Sequence, residues 1–117
     1  MEFTVEFYEA QSGRCPVREF LDRLKKSDPD DFAIVMAGLA KLRSRQYHKP
    51  PLSRPIGKGL LEMRHVGKLN TRVLYFFAGG QRMIAVHGIR SKSQRISERD
   101  INVALERKKD WCLREAR

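Results

Sequence analysis

The sequence predicts an α+β domain, in which helices pack on a small, largely antiparallel sheet. Three observations carry this. Within residues 60–94, the apolar runs Leu60-Leu61-Glu62-Met63-Arg64-His65-Val66, Thr71-Arg72-Val73-Leu74-Tyr75-Phe76-Phe77-Ala78 and Arg82-Met83-Ile84-Ala85-Val86-His87-Gly88-Ile89-Arg90 are separated only by Gly67-Lys68-Leu69-Asn70 and Gly79-Gly80. Runs this short, rich in branched and aromatic residues and bounded by turn residues, read as strands, and such brief connections make antiparallel hairpins. The second and third runs are apolar at both strand parities, so both faces of the sheet need a cover. Helical spacing falls before and after these strands, giving the order β-α-α-β-β-β-α, the segregated pattern of an α+β fold.

Residues 2–9 alternate Phe3, Val5 and Phe7 against Thr4, Glu6 and Tyr8, a period-two pattern that predicts a fourth strand joining the hairpins. Ser12-Gly13 breaks it. Pro16 then opens a helix whose inner stripe is Val17, Phe20, Leu21 and Leu24, ending near Lys25-Lys26-Ser27. Asp28-Pro29 supplies a cap and a first-turn proline for a second helix with the stripe Phe32, Val35, Met36, Leu39 and Leu42. Its far end carries Lys41, Arg43, Arg45, His48 and Lys49, and Pro50-Pro51 stops it; cations there complement the helix dipole without any functional reason. Residues 52–59, with Arg54, Pro55, Gly57 and Lys58, are expected as a loop, as are residues 91–96. Ser97 to Asp100 forms a Ser-x-x-Asp capping pattern for a last helix with Ile101, Ala104, Leu105, Trp111 and Cys112 inward.

The 117 residues suit a single domain spanning 1–117, and a 41% hydrophobic, 32% charged composition is globular rather than disordered. The net charge of +10, from 24 Lys and Arg against 14 Asp and Glu, favours a polyanionic partner, nucleic acid before an anionic membrane. A basic surface without such a partner is the plainer alternative. No apolar stretch reaches membrane-spanning length and the first residues do not form a signal peptide, so a cytoplasmic protein is expected. Cys15 and Cys112 are expected as free thiols. His48, His65 and His87 lie on separate elements with no Cys or carboxylate at ligand spacing, and no phosphate-binding glycine motif or nucleophile elbow occurs; neither metal nor cofactor is expected.

What remains is a set of cations on the sheet and its exit loop: Arg64, Arg72, His87, Arg90, Lys92 and Arg95. Alternation puts Glu62 with Arg64, and sets His87 and Ile89 against Gly88 and Arg90; neighbouring strands would let Arg64, Arg72 and Arg90 converge. Such a set suits RNA cleavage by the ribose 2′-hydroxyl, which needs a base, an acid and cations on the phosphorane. It suits plain RNA binding equally. Structural roles stand beside these: Arg72 paired to Glu62 or Glu98, His87 as a hydrogen-bonded core histidine, and Lys92, Gln94 and Arg95 as a solvated loop.

Over nearly its whole length the chain resembles the RelE/HigB/ParE superfamily of small toxins from type II toxin–antitoxin systems, in particular the HigB-like, phage-derived branch. The resemblance rests on Gly13-x-x-Pro16-Val17-x-x-Phe20-Leu21, Leu60-Leu61-Glu62-Met63-Arg64, Arg72-Val73-Leu74-Tyr75-Phe76-Phe77, His87-Gly88-Ile89-Arg90-Ser91-Lys92-Ser93-Gln94 and Ala104-x-x-Arg107-x-x-Asp110-Trp111. That branch usually carries a Lys-Lys pair and Thr-Gln where this chain has Ser91-Lys92 and Ser93-Gln94. The resemblance implies a RelE-like fold and ribosome-dependent, metal-free cleavage of mRNA leaving a 2′,3′-cyclic phosphate. By the same carry-over, Arg72, His87, Arg90 and Lys92 are the expected catalytic residues; the expected substrate contacts are Arg64 and Gln94, within those motifs, with Arg95 and Lys58, basic residues of the neighbouring loops. Relatives with a catalytic tyrosine near the C-terminus find no counterpart, since no tyrosine follows Tyr75, which leaves His87 or Lys92 as the base.

Two other functions fit the same residues: a ParE-like toxin that inhibits DNA gyrase without nuclease chemistry, and a non-catalytic RNA- or protein-binding module. The partners implied by the toxin reading are a cognate antitoxin, expected to be a small DNA-binding protein, together with the ribosome and mRNA.

Overall fold

The computed structural model describes residues 2–116, so Met1 and Arg117 lie outside it. Among these residues, strand β1 (Thr4–Phe7) is followed by helices α1 (Pro16–Ser27) and α2 (Pro29–Lys41), strands β2 (Ser53–Gly57), β3 (Leu60–Val66), β4 (Asn70–Ala78) and β5 (Arg82–Ser91), and helix α3 (Glu98–Glu115). The strands form one mixed sheet in the order β1-β5-β4-β3-β2. Three pairings are antiparallel, while β1 lies parallel to β5 with Thr4 opposite Arg82. The two helices between β1 and β2 give the chain the length it needs to return in the parallel direction.

Both faces are covered, as the apolar strands require. Against one face α1 and α2 press Val17, Phe20, Leu24, Val35 and Leu39 onto Met63, Val73, Tyr75, Met83 and Ala85. Against the other, α3 lays Ala104, Leu105 and Trp111 over Leu60, Leu74, Phe76, Ile84 and Val86. Asp28 ends α1 and caps α2, its Oδ1 accepting from the Asp31 N–H at 3.1 Å, and Ser97 caps α3 by accepting from the Asp100 N–H.

The sheet has a fifth strand, β2, where a loop was expected. Its Arg54, Pro55 and Ile56 show no alternation, and the edge of a sheet tolerates the missing N–H of Pro55. Helix α2 stops at Lys41 rather than running to Pro50. Buried Leu42 turns into the core, and the His48 ring donates from Nε2 to the Leu42 carbonyl at 2.6 Å, satisfying a terminal acceptor; a single 3₁₀ turn, Arg45–Tyr47, follows. Met36 and Cys112, expected inward, are exposed.

Register decides where the cations go. Leu74 pairs with His87 and Tyr75 with Ala85, so Val86 is an extra residue, a bulge in β5. Val86 and His87 thus both face α3, and every later residue of β5 changes phase. Ile89 stays on the α3 face, opposite Arg72, while Arg90 points to α1 and α2.

Candidate functional site

Arg64, Arg72 and Ile89 stand side by side across β3, β4 and β5, so the two arginines share the α3 face. Two residues before Arg64, Glu62 shares that face and is fully buried. Its Oε1 accepts from Arg54 Nε at 2.6 Å, and its Oε2 lies 3.3 Å from Arg72 Nε. Arg72, also without exposed surface, reaches past Glu62 with Nη2 to the carbonyls of Ser93 (3.1 Å) and Gln94 (2.8 Å). Desolvation pulls its guanidinium below the ordinary arginine range; Glu62 opposes this, and Arg64 and Arg54 add to it. Asn70 Nδ2 donates to the same Ser93 carbonyl, and Arg64 Nη2 donates to Gln94 Oε1 at 3.2 Å. A buried cation thus holds residues 91–96 from below, and Ser93 Oγ ties that loop to both the N–H and the carbonyl of Arg95.

Fixed this way, the loop leaves Lys92, Ser93, Gln94 and Arg95 exposed. Ser93 and Arg95 line a cleft of about 760 Å³ whose walls also include Lys58, in the β2–β3 turn, and Glu98 and Asp100, in the first turn of α3. Lys58 sits at φ 57° between two positive-φ glycines, a left-handed turn that carries the lysine to the rim. Behind the cleft, His87 Nε2 lies 2.8 Å from Asp100 Oδ1 and Arg107 Nη1 lies 3.1 Å from His87 Nδ1. A guanidinium only donates, so Nδ1 accepts and Nε2 carries the hydrogen given to Asp100. Burial pushes the Asp100 carboxyl up, but hydrogen bonds from His87 and Ser97 outweigh it and hold Asp100 below the usual carboxylate range.

The expected site residues therefore separate into groups. Arg64, Arg72 and Gln94 form one assembly, and Lys58 and Arg95 line one cleft. Lys92 is exposed between two serines of the cleft wall without lining it, and His87 touches the cleft only through Asp100. Arg90 does not converge with Arg64 and Arg72. It lies on the opposite face, donating to Asp28 at 2.7 Å and Asp31 at 2.9 Å. Asp31 also takes His65 at 3.0 Å; that hydrogen bond, against desolvation and with Arg90, keeps Asp31 below its ordinary range. Residue patterns passed over Asp100, which reads first as a cap, and Arg107. Their seven-residue spacing, two helical turns on one stripe of α3, was the available signal. Among the described residues no three His, Cys, Asp or Glu side chains are grouped to hold a metal ion, and no helix is long and apolar enough to cross a membrane.

Fold and site together define a small basic α+β domain with an arginine-anchored loop over a cleft lined by Lys58, Arg95, Glu98 and Asp100. A family model described as "Phage derived protein Gp49-like (DUF891)" matches residues 19–109, and the chain belongs to that family, part of the RelE/HigB-like toxin superfamily. Membership makes a toxin–antitoxin toxin with a cognate antitoxin the family expectation. No curated protein matches the chain.

Proposed function

We propose that this chain is the toxin of a type II toxin–antitoxin pair, of the HigB-like branch, and that it cleaves mRNA on the ribosome by metal-free attack of the ribose 2′-hydroxyl. The observation that carries the reading is the loop of residues 91–96, clamped by buried Arg72, setting Arg95 with Lys58 and Asp100 at one cleft and leaving Lys92 exposed next to it. In the reaction the 2′-oxygen bonds to phosphorus while the bond to the 5′-oxygen breaks. The 2′-proton passes to a base, and the departing oxygen takes one from an acid, leaving a 2′,3′-cyclic phosphate and a 5′-hydroxyl. Arg95, Lys58 and Lys92 supply positive charge where the phosphorane gains negative charge. Asp100, held ionised with its His87 donor, is the proton acceptor on the cleft wall, and Lys92 is the exposed group able to return a proton. Arg72 acts through the loop, and Arg90 braces α2 from the other face.

The test is induction of the wild type, Lys92→Ala and Lys92→Ala/Arg95→Ala without antitoxin, with growth followed and transcript 5′ ends mapped. Both side chains are exposed, so the fold is unaffected. The expected result is arrest with new cuts inside translated frames in the wild type, and cleavage slowed about 10²-fold for each cation removed. Equal arrest in all three strains with intact transcripts overturns the nuclease; a concurrent loss of supercoiling would then point to gyrase.

A further inference from the structure

A second cavity, of about 680 Å³, lies away from the cleft of Lys58, Arg95 and Asp100, bounded by α2, the Arg45–Tyr47 turn, Pro50-Pro51 and β3. Its floor is Val35, Leu52 and Met63, and Ile34 and Tyr47 stand on its walls, 49% and 36% exposed. The floor is deep because α2 approaches β3 at Gly38, where a Cβ would meet Met63 Sδ at 2.9 Å. Ile34 and Tyr47, large apolar side chains left partly in water at the edge of one concave surface, mark a contact site. The charged ends that face it have one sign: Lys41 and Lys49 line the groove and no Asp or Glu does, although Asp31 pairs with the His65 ring from outside.

We propose that this groove seats an acidic amphipathic helix of a partner protein. Ile34, Gly38 and Lys41 follow one another along α2 at helical spacing, so the groove runs for about two turns, roughly 10 Å. A partner helix answers that length with apolar anchors at i, i+3 or i+4, and i+7. Carboxylates flanking those anchors meet Lys41 and Lys49, which adds steering and fixes orientation. RNA shares the charge preference but not the shape of the floor. Bases stack on aromatic faces, whereas this floor is aliphatic and the ring of Tyr47, on its wall, holds Lys41 Nζ over one face, 5.6 Å from its centroid. The groove is separate from the cleft proposed for RNA cleavage, and the inference stands whether or not that activity does.

The test is phage display of random peptides of about 16 residues on the folded protein, then anisotropy titration of the enriched peptides. Titrations use the wild type, Ile34→Glu, Lys41→Glu and, as a control for overall charge, Lys109→Glu on α3. Ile34, Lys41 and Lys109 are exposed, so each variant keeps its fold. The expected consensus is acidic with apolar residues at i, i+3 or i+4, and i+7. Its affinity should fall by at least about tenfold in Ile34→Glu and Lys41→Glu and by much less in Lys109→Glu. An enriched set without acidic residues, or one that binds Ile34→Glu as tightly as the wild type, overturns the proposal. So does a labelled single-stranded oligoadenylate that binds in its place and is lost in Ile34→Glu. Transcript cleavage by the same variants is a separate readout, so failure of the groove and failure of the nuclease are told apart.

Discussion

Glu62 and Arg72 are the most consequential pair of side chains in the chain, because neither has a route to water. Arg54 also pairs with Glu62, but half of its side chain is exposed. Glu62→Gln therefore releases Arg54 harmlessly and leaves Arg72 as an uncompensated buried charge. A change of this kind costs about 3–5 kcal/mol, read as a lowered midpoint in urea unfolding. Arg72→Lys separates the two jobs of the guanidinium: a single ammonium keeps a charge against Glu62 but cannot at the same time reach the Ser93 and Gln94 carbonyls, which Nη2 bonds while Nε faces Glu62. That variant should recover much of the stability while leaving the loop loose, with transcript cleavage reduced more than the unfolding midpoint. A catalytic cation and a clamp both read from sequence as an arginine within an apolar strand. Only burial distinguishes them.

Among the elements, β5 shows how much a strand's phase controls. At Gly88, just beyond the Val86 bulge, a Cβ would meet the Phe20 ring at 2.3 Å, so α1 packs directly on the strand backbone. Gly88→Ala forces that ring out of the core and should destabilise by about 1–3 kcal/mol, measured by thermal unfolding; Gly79→Ala, with open space around it, is the control. The strands β3, β4 and β5 and the caps at Asp28 and Ser97 were legible in sequence because apolar runs, turn glycines and capping residues are local signals. β2 was not, since an edge strand with Arg54, Pro55 and Ile56 carries no period. The end of α2 was missed because Leu42 continues the apolar stripe yet leaves the helix axis. The site was legible as a set of residue types but not as an arrangement. Alternation correctly set His87 against Arg90, but the convergence of Arg90 with Arg64 and Arg72 depended on register, and the bulge sends Arg90 to the two carboxylates near α2.

Across the whole molecule, carboxylates tie the layers together and make stability depend on acid. Arg82 on β5 bonds Glu6 on β1 and Glu115 on α3, Asp31 joins α2 to β3 and β5, and Asp100 joins α3 to β5. The Arg82 hydrogen bond, working against burial, lowers Glu6 as well. Glu6, Asp31 and Asp100 each have a folded pKa below the ordinary 4.5 or 3.8, so their contribution is present above that value and is lost as pH falls through the lower folded one. The growing positive charge acts in the same direction. The melting temperature should therefore fall as the pH drops below about 4.5, and Asp31→Asn/Asp100→Asn should flatten that decline. The pairing of β1 with β5 also bears on synthesis. The strand made first has no neighbour until Arg82 to Ala85 have left the ribosome, and the wall formed by Asp100 comes later still. A nascent chain therefore holds no finished cleft before the first turn of the last helix has been made and packed.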